Sequence, residues 1–292
     1  MEQKTLKNIE TYIRRVVASY TPALLDFYAG ENPSHAKLSW NGIEGLSLTD
    51  KNKAFLQMNA IEMKDYGLRK SGNLGYTHPI GAAYLFDFMS SLPFFEKEAT
   101  FRRILAHDTL EDALNYNCVA LEGLCRKWGN TYHEYIDSMI LQSTPEIDIS
   151  GENTSRINSY AMVSKMAKIK AIKFSENPSE QLTFAYDIMS QMLETSHLRD
   201  HEERKRTLTG LMGYLLVILA NMRSIPDSEQ DIILNFAGAF KELHKIDDKD
   251  VYERTKTWND VGETEAHYIP KISAAHLRKF GYSQPHPFLA RK

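Results

Sequence analysis

Apolar residues recur at helical spacing along most of this chain, and few residues interrupt them. Ile9, Ile13, Val16 and Val17 form an i, i+4, i+7, i+8 stripe that Tyr20 continues. Such a stripe belongs on one face of an amphipathic helix, here spanning residues 6–28. Gly and Pro, the strongest breakers of regular structure, number only 15 and 10 in 292 residues. Thr21-Pro22 permits a new helix start. Gly30, Asn32-Pro33, Asn41-Gly42 and Gly45 mark residues 30–48 as a loop or small hairpin. A helix is expected over about 50–66, with Gly67 as its cap. His78-Pro79 opens another helix, to about residue 90.

The pattern further predicts a central helix over 95–114, a helix pair over 118–142 and a loop over 143–154. A basic helix over 154–177 ends at Pro178, and helices follow over 180–196, 203–225 and 228–245. The tail from residue 246 contains Asp247-Asp248, Pro270, Pro285 and Pro287. It reads as irregular structure wrapped on the body, with one short helix near 271–279. No strand-turn-strand series appears, so an all-α helical bundle is expected. Residues 1–245 would form the domain and 246–292 a C-terminal extension packed on it.

Within this frame two segments concentrate chemistry. The first runs Arg69-Lys70-Ser71-Gly72-Asn73-Leu74-Gly75-Tyr76-Thr77-His78-Pro79, and the second Ile104-Leu105-Ala106-His107-Asp108-Thr109-Leu110-Glu111-Asp112. On one helix His107 and Glu111 are i, i+4, as are Asp108 and Asp112, so they would make a single polar ridge. Such a ridge beside Phe101, Ile104, Leu105 and Leu110 is costly to bury unless its charge is compensated. A bound cation would do so, and imidazole with carboxylate suits Mn, Fe or Zn. The bland readings are a buried helix-start histidine for His78 and a solvent-facing acidic turn for Glu111 and Asp112. Finding both segments in one chain outweighs them.

These segments resemble the HD-domain phosphohydrolases, and most of all the hydrolase half of the RelA/SpoT family, which removes the 3′-pyrophosphate of (p)ppGpp. The resemblance rests on Arg69-Lys70-Ser71-Gly72, Thr77-His78-Pro79, Leu105-Ala106-His107-Asp108 and Glu111-Asp112. It is specific over roughly residues 50–115. It implies an HD-domain-like bundle with additional C-terminal helices. It implies His78, His107 and Asp108 as ligands of one divalent metal, most simply Mn²⁺. Glu111 and Asp112 are then the catalytic carboxylates, and Arg69, Lys70, Ser71 and Asn177 contact the nucleotide.

The family's fourth ligand is an Asp on a later helix. The best-spaced counterpart is Ala171-Ile172-Lys173-Phe174-Ser175-Glu176-Asn177, where Asn177 matches and Lys173 stands at the Asp position. A second counterpart, Val217 through Ser224, puts Val217 there. Three accounts stay open. Glu176 or another carboxylate completes a weaker site; Lys173 grips a phosphate in place of the ion; or the correspondence fails in this region. Asp187 and Asp227 carry no argument of their own. His197, Asp200 and His201 lie among charged neighbours and read as a solvated helix start.

The expected function is a metal-dependent nucleotide phosphohydrolase, with a small-molecule nucleotide as partner. The alternatives are a hydrolase of a dNTP, a monophosphate or a cyclic dinucleotide, or an impaired protein that sequesters a nucleotide. A net charge of −3 gives no attraction to nucleic acid or anionic lipid. No apolar run is long enough for a membrane span. The two cysteines, Cys118 and Cys125, suit reduced thiols in the cytoplasm better than a disulfide framework. A homo-oligomer is left open.

Overall fold

The computed structural model describes residues 49–52, 55, 56, 59, 77–110, 120, 123, 124, 126, 127, 146–148, 168, 169, 172, 175–196, 198–262 and 267–269. They form an all-α bundle joined by one short antiparallel ribbon. Helix α1 spans Thr77–Met89 and α2 spans Phe94–Ala106. Helix α3 spans Pro178–Thr195 and α4 spans His201–Asn221. Helix α5 spans Asp227–His244 and α6 spans Asp248–Gly262. Strands β1 (Glu146–Asp148) and β2 (His267–Ile269) pair with Ile147 opposite Tyr268.

Local chemistry accounts for the helix ends. Asn177 Oδ1 accepts from Ser179 N at 2.9 Å, and Pro178 occupies the first turn of α3. Asp200 Oδ1 accepts from Glu203 N at 2.8 Å and starts α4. Asp227 and Glu229 lie at the positive end of α5 and Lys241 and His244 at its negative end. Lys245 then turns the chain with left-handed φ 51° and ψ 48°.

Helices α1, α2 and α3 each pack on the other two. Residues 77–86 of α1 are buried on every side, as expected for a helix without a polar face. Tyr84, Phe86, Phe101, Phe184 and Tyr186 fill the space between these helices. Helix α4 covers α3, and α6 covers α4. That last contact is close at Gly213, where an added Cβ would lie 2.8 Å from Arg254 Cβ. Trp258 Nε1 donates to Gly210 O at 3.1 Å across the same crossing.

Three expectations are corrected. The helix expected over 95–114 stops at Ala106. His107 Nδ1 donates to Ile104 O at 2.6 Å and His107 N at 3.4 Å. The carbonyl that would receive Asp108 N–H in a continuing helix is therefore taken. The winding at Thr109–Leu110 is π-type, a geometry frequent at functional sites. Second, the tail expected to be irregular from 246 contains α6. Its Asp247-Asp248 pair is a helix start, with Asp247 Oδ1 accepting from Lys249 N at 2.7 Å. Third, the 143–154 loop contains β1. Its partner lies more than a hundred residues away, so no local pattern announces it. The helix expected near 271–279 and the segment before residue 49 lie outside the described residues.

Candidate metal centre

Three helices deliver the site. His78 is the second residue of α1, His107 and Asp108 follow the last residue of α2, and Asp187 lies in the middle of α3. Both histidine side chains are 1 % exposed. Their rings meet edge to face with centroids 5.5 Å apart.

Each imidazole is braced through Nδ1. His107 Nδ1 is held by Ile104 O at 2.6 Å and His78 Nδ1 by Glu194 Oε1 at 2.8 Å. Both Nε2 atoms then point at carboxylates. His78 Nε2 lies 2.8 Å from Asp187 Oδ1 and 3.9 Å from Asp108 Oδ2. His107 Nε2 lies 3.0 Å from Asp108 Oδ1 and 3.6 Å from Asp187 Oδ1. His107 Nε2 makes no aligned hydrogen bond although it is buried.

This arrangement fits a cation. With Nδ1 protonated, a neutral imidazole offers only a lone pair at Nε2. Two such lone pairs facing two carboxylates repel unless something positive stands between them. Ligands about 2.1 Å from an ion, at right or tetrahedral angles, are about 3.0–3.4 Å apart. The separations here, from 2.8 to 3.9 Å, bracket that range. His78, His107 and Asp108 form a group that can hold a metal ion. Asp187 Oδ1 also approaches both Nε2 atoms.

Protons can serve where no ion is bound. Burial works against charge on His107, but Asp108 and Asp187 outweigh it and hold its pKa well above the usual value. Burial pushes the Asp108 carboxyl up, yet His107 and His78 bring it down to about 2. Burial likewise pushes the Asp187 carboxyl up, yet the close approach of His107 and His78 holds it well below the ordinary carboxylate range. Paired imidazolium and carboxylate are thus the ion-free counterpart of the site.

The structure brings together His78, His107 and Asp108 as the sequence predicts. Asn177 is employed elsewhere, as the cap of α3. It lies ten residues before Asp187, about 15 Å along the axis. Arg69, Lys70, Ser71, Glu111, Asp112 and Lys173 lie outside the described residues. Val217 is buried in the core of α4. Asp200 and His201 are a solvated helix start as expected, with His201 70 % exposed.

Sequence reasoning missed Asp187, Gln191 and Glu194. A signal existed. Asp187, Ser190, Gln191 and Glu194 fall at i, i+3, i+4 and i+7, a polar stripe along a helix buried at most other positions. Gln191 Nε2 donates to Asp187 Oδ1 at 2.8 Å, and Ser190 Oγ lies 3.5 Å from His78 Nδ1. No protein-family model, curated protein or solved structure matches the chain. Among the described residues no helix is long and apolar enough to cross a membrane.

Proposed function

We propose that this chain is a metal-dependent phosphohydrolase of a nucleotide, similar in chemistry to the (p)ppGpp 3′-pyrophosphohydrolases. The observation that carries the reading is the convergence of four donors, His78, His107, Asp108 and Asp187, with both imidazoles braced at Nδ1. A divalent ion bound there, Mn²⁺ in the first instance, would acidify a water to near-neutral pKa and draw charge from a phosphate oxygen.

The chain's own residues then divide the work. Ile104 O and Glu194 keep the two imidazoles in the tautomer that presents Nε2. Gln191 holds Asp187 in place. Glu111 and Asp112 take the proton from the attacking water and return one to the leaving oxygen. Arg69 stacks on the base, while Lys70 and Ser71 grip phosphate. Asp187 supports one of the three accounts of the fourth ligand. It is another carboxylate filling in, so Lys173 need not stand in for the ion.

The test is metal content of the purified protein, with (p)ppGpp hydrolysis measured before and after Mn²⁺ and in EDTA. One ion per chain and Mn²⁺-stimulated pyrophosphate release are expected. His107→Ala should lose both. Unchanged turnover in His107→Ala would sink the proposal. Release of product only from a dNTP, a monophosphate or a cyclic dinucleotide would keep the reaction and change the substrate.

A further inference from the structure

We infer that Glu194 is a positioning residue that makes His78 Nε2 the stronger of the site's two imidazole donors. The inference rests on the reading that the cluster holds a divalent ion. It concerns an asymmetry that the donor set alone does not reveal. His107 Nδ1–H meets a neutral peptide carbonyl, Ile104 O. His78 Nδ1–H meets a carboxylate oxygen at 2.8 Å. A hydrogen bond to an ionised acceptor is roughly twice as strong as one to a neutral acceptor. It draws the Nδ1 proton outward and pushes electron density through the ring to Nε2.

One helix face supplies both sides of this ring. Asp187 and Glu194 are seven residues apart on α3, two turns along the same face. Asp187 Oδ1 lies at the Nε2 edge and Glu194 Oε1 at the Nδ1 edge, both at 2.8 Å. The ring is therefore clamped by α3 while its backbone belongs to α1. Ser190 Oγ, at 3.5 Å from Nδ1, is too distant to replace Glu194. The Glu194 side chain is 19 % exposed, so solvent does not fully screen its charge. Among the described residues His107 has no counterpart to this clamp, and its Nδ1 brace is Ile104 O, three residues before it.

The experiment compares wild type, Glu194→Gln and Glu194→Ala in the full chain. Mn²⁺ affinity is read by calorimetry. The protonated nitrogen of His78 is read by ¹⁵N NMR in the Zn²⁺-loaded, diamagnetic protein. Gln keeps an acceptor of similar shape without the charge, whereas Ala removes both. We expect Ala to weaken Mn²⁺ by about 10- to 100-fold, the usual consequence of losing such a partner. Gln should cost roughly tenfold, the lower end of that range. His78 should carry its proton on Nδ1 in wild type and Gln, and lose that fixed tautomer in Ala. Wild type that binds no ion would overturn both this inference and the metal-centre reading. Ion binding in wild type with equal affinity in all three proteins would overturn the inference alone. Weakened binding with an unchanged His78 tautomer in Ala would reduce Glu194 to a packing residue and also overturn it.

Discussion

Helix α1 carries a buried carboxylate cluster at each end, and the two differ in what faces the charge. Past its C-terminus, Glu229 of α5 is fully buried among donors. It accepts from Ser90 Oγ at 2.9 Å, Ser91 N at 2.6 Å, Ser91 Oγ at 3.0 Å and Tyr186 OH at 3.3 Å. At the N-terminus, Asp108 and Asp187 face two imidazole nitrogens whose opposite edges are already committed. The first carboxylate has its charge answered by protein hydrogen bonds. Among the described residues the second pair receives Gln191 Nε2 and otherwise faces imidazole nitrogens, so the rest of its charge is answered by a proton or a metal ion. Burial alone does not mark a functional carboxylate; a shortage of protein donors does.

The largest expected effects test this contrast directly. Glu229→Ala strands Tyr186 OH and the Ser90–Ser91 donors, at about 1–3 kcal/mol for each buried group left unpaired. A loss of about 3 kcal/mol in denaturant unfolding is expected, with Mn²⁺ affinity intact. Asp187→Asn should do the reverse at the other end. It removes a negative charge beside both Nε2 atoms, so Mn²⁺ affinity should fall by at least about 100-fold. The rise in melting temperature that a bound ion produces in wild type should vanish with it. If Glu229→Ala lost the ion, or Asp187→Asn kept it, the two clusters would not differ in kind.

The contrast also explains what the sequence disclosed. His78, His107 and Asp108 were legible because each sits in a short run with local meaning. Asp187 and Glu194 belong to a helix that reaches the site only through packing on α1 and α2. Their i, i+3, i+4, i+7 stripe is visible, but nothing in it says which partner it meets. Helices α1, α3, α4 and α5 follow from apolar period and from Pro79, Pro178 and Pro226. The break at His107 was hidden because its cause is a side chain bonding back to Ile104 O, which periodicity does not register. Helix α6 was hidden because its exposed charged residues resemble a tail, although Val251 and Trp258 pack inward.

A smaller effect is expected at the crossing of α4 and α6. Gly213→Ala places a Cβ 2.8 Å from Arg254 Cβ and 2.9 Å from Thr255 N. Backbone must move, so α6 should loosen on α4 at a cost of about 1–3 kcal/mol. Metal affinity should not change. Faster amide exchange confined to α6 is the measurement, and unaltered exchange there would contradict the close crossing.

The smallest effect is a pH dependence that separates the clusters without any mutation. In the ion-free protein, His107 is held above its unfolded pKa by Asp108 and Asp187, against burial. Its contribution to stability is fully present below the unfolded value, about 6.5. That contribution is lost as pH rises through the folded pKa. Asp108 works in the opposite sense. Its folded pKa of about 2, against 3.8 ordinarily, gives stability above the ordinary value that is lost as pH falls through the lower one. The ion-free site thus supports the fold at mildly acidic to neutral pH and weakens in base. An ion must displace the His107 proton, so its affinity rises with pH over the range where His107 loses that proton. Melting with and without Mn²⁺ across that range should show the ion-induced gain increasing with pH, by a few degrees. In Asp187→Asn the trend should disappear, whereas in Glu229→Ala it should persist on a lower baseline. A gain that stays flat with pH in wild type would mean that no histidine proton is displaced, and the N-terminal cluster would then be as self-sufficient as the one around Glu229.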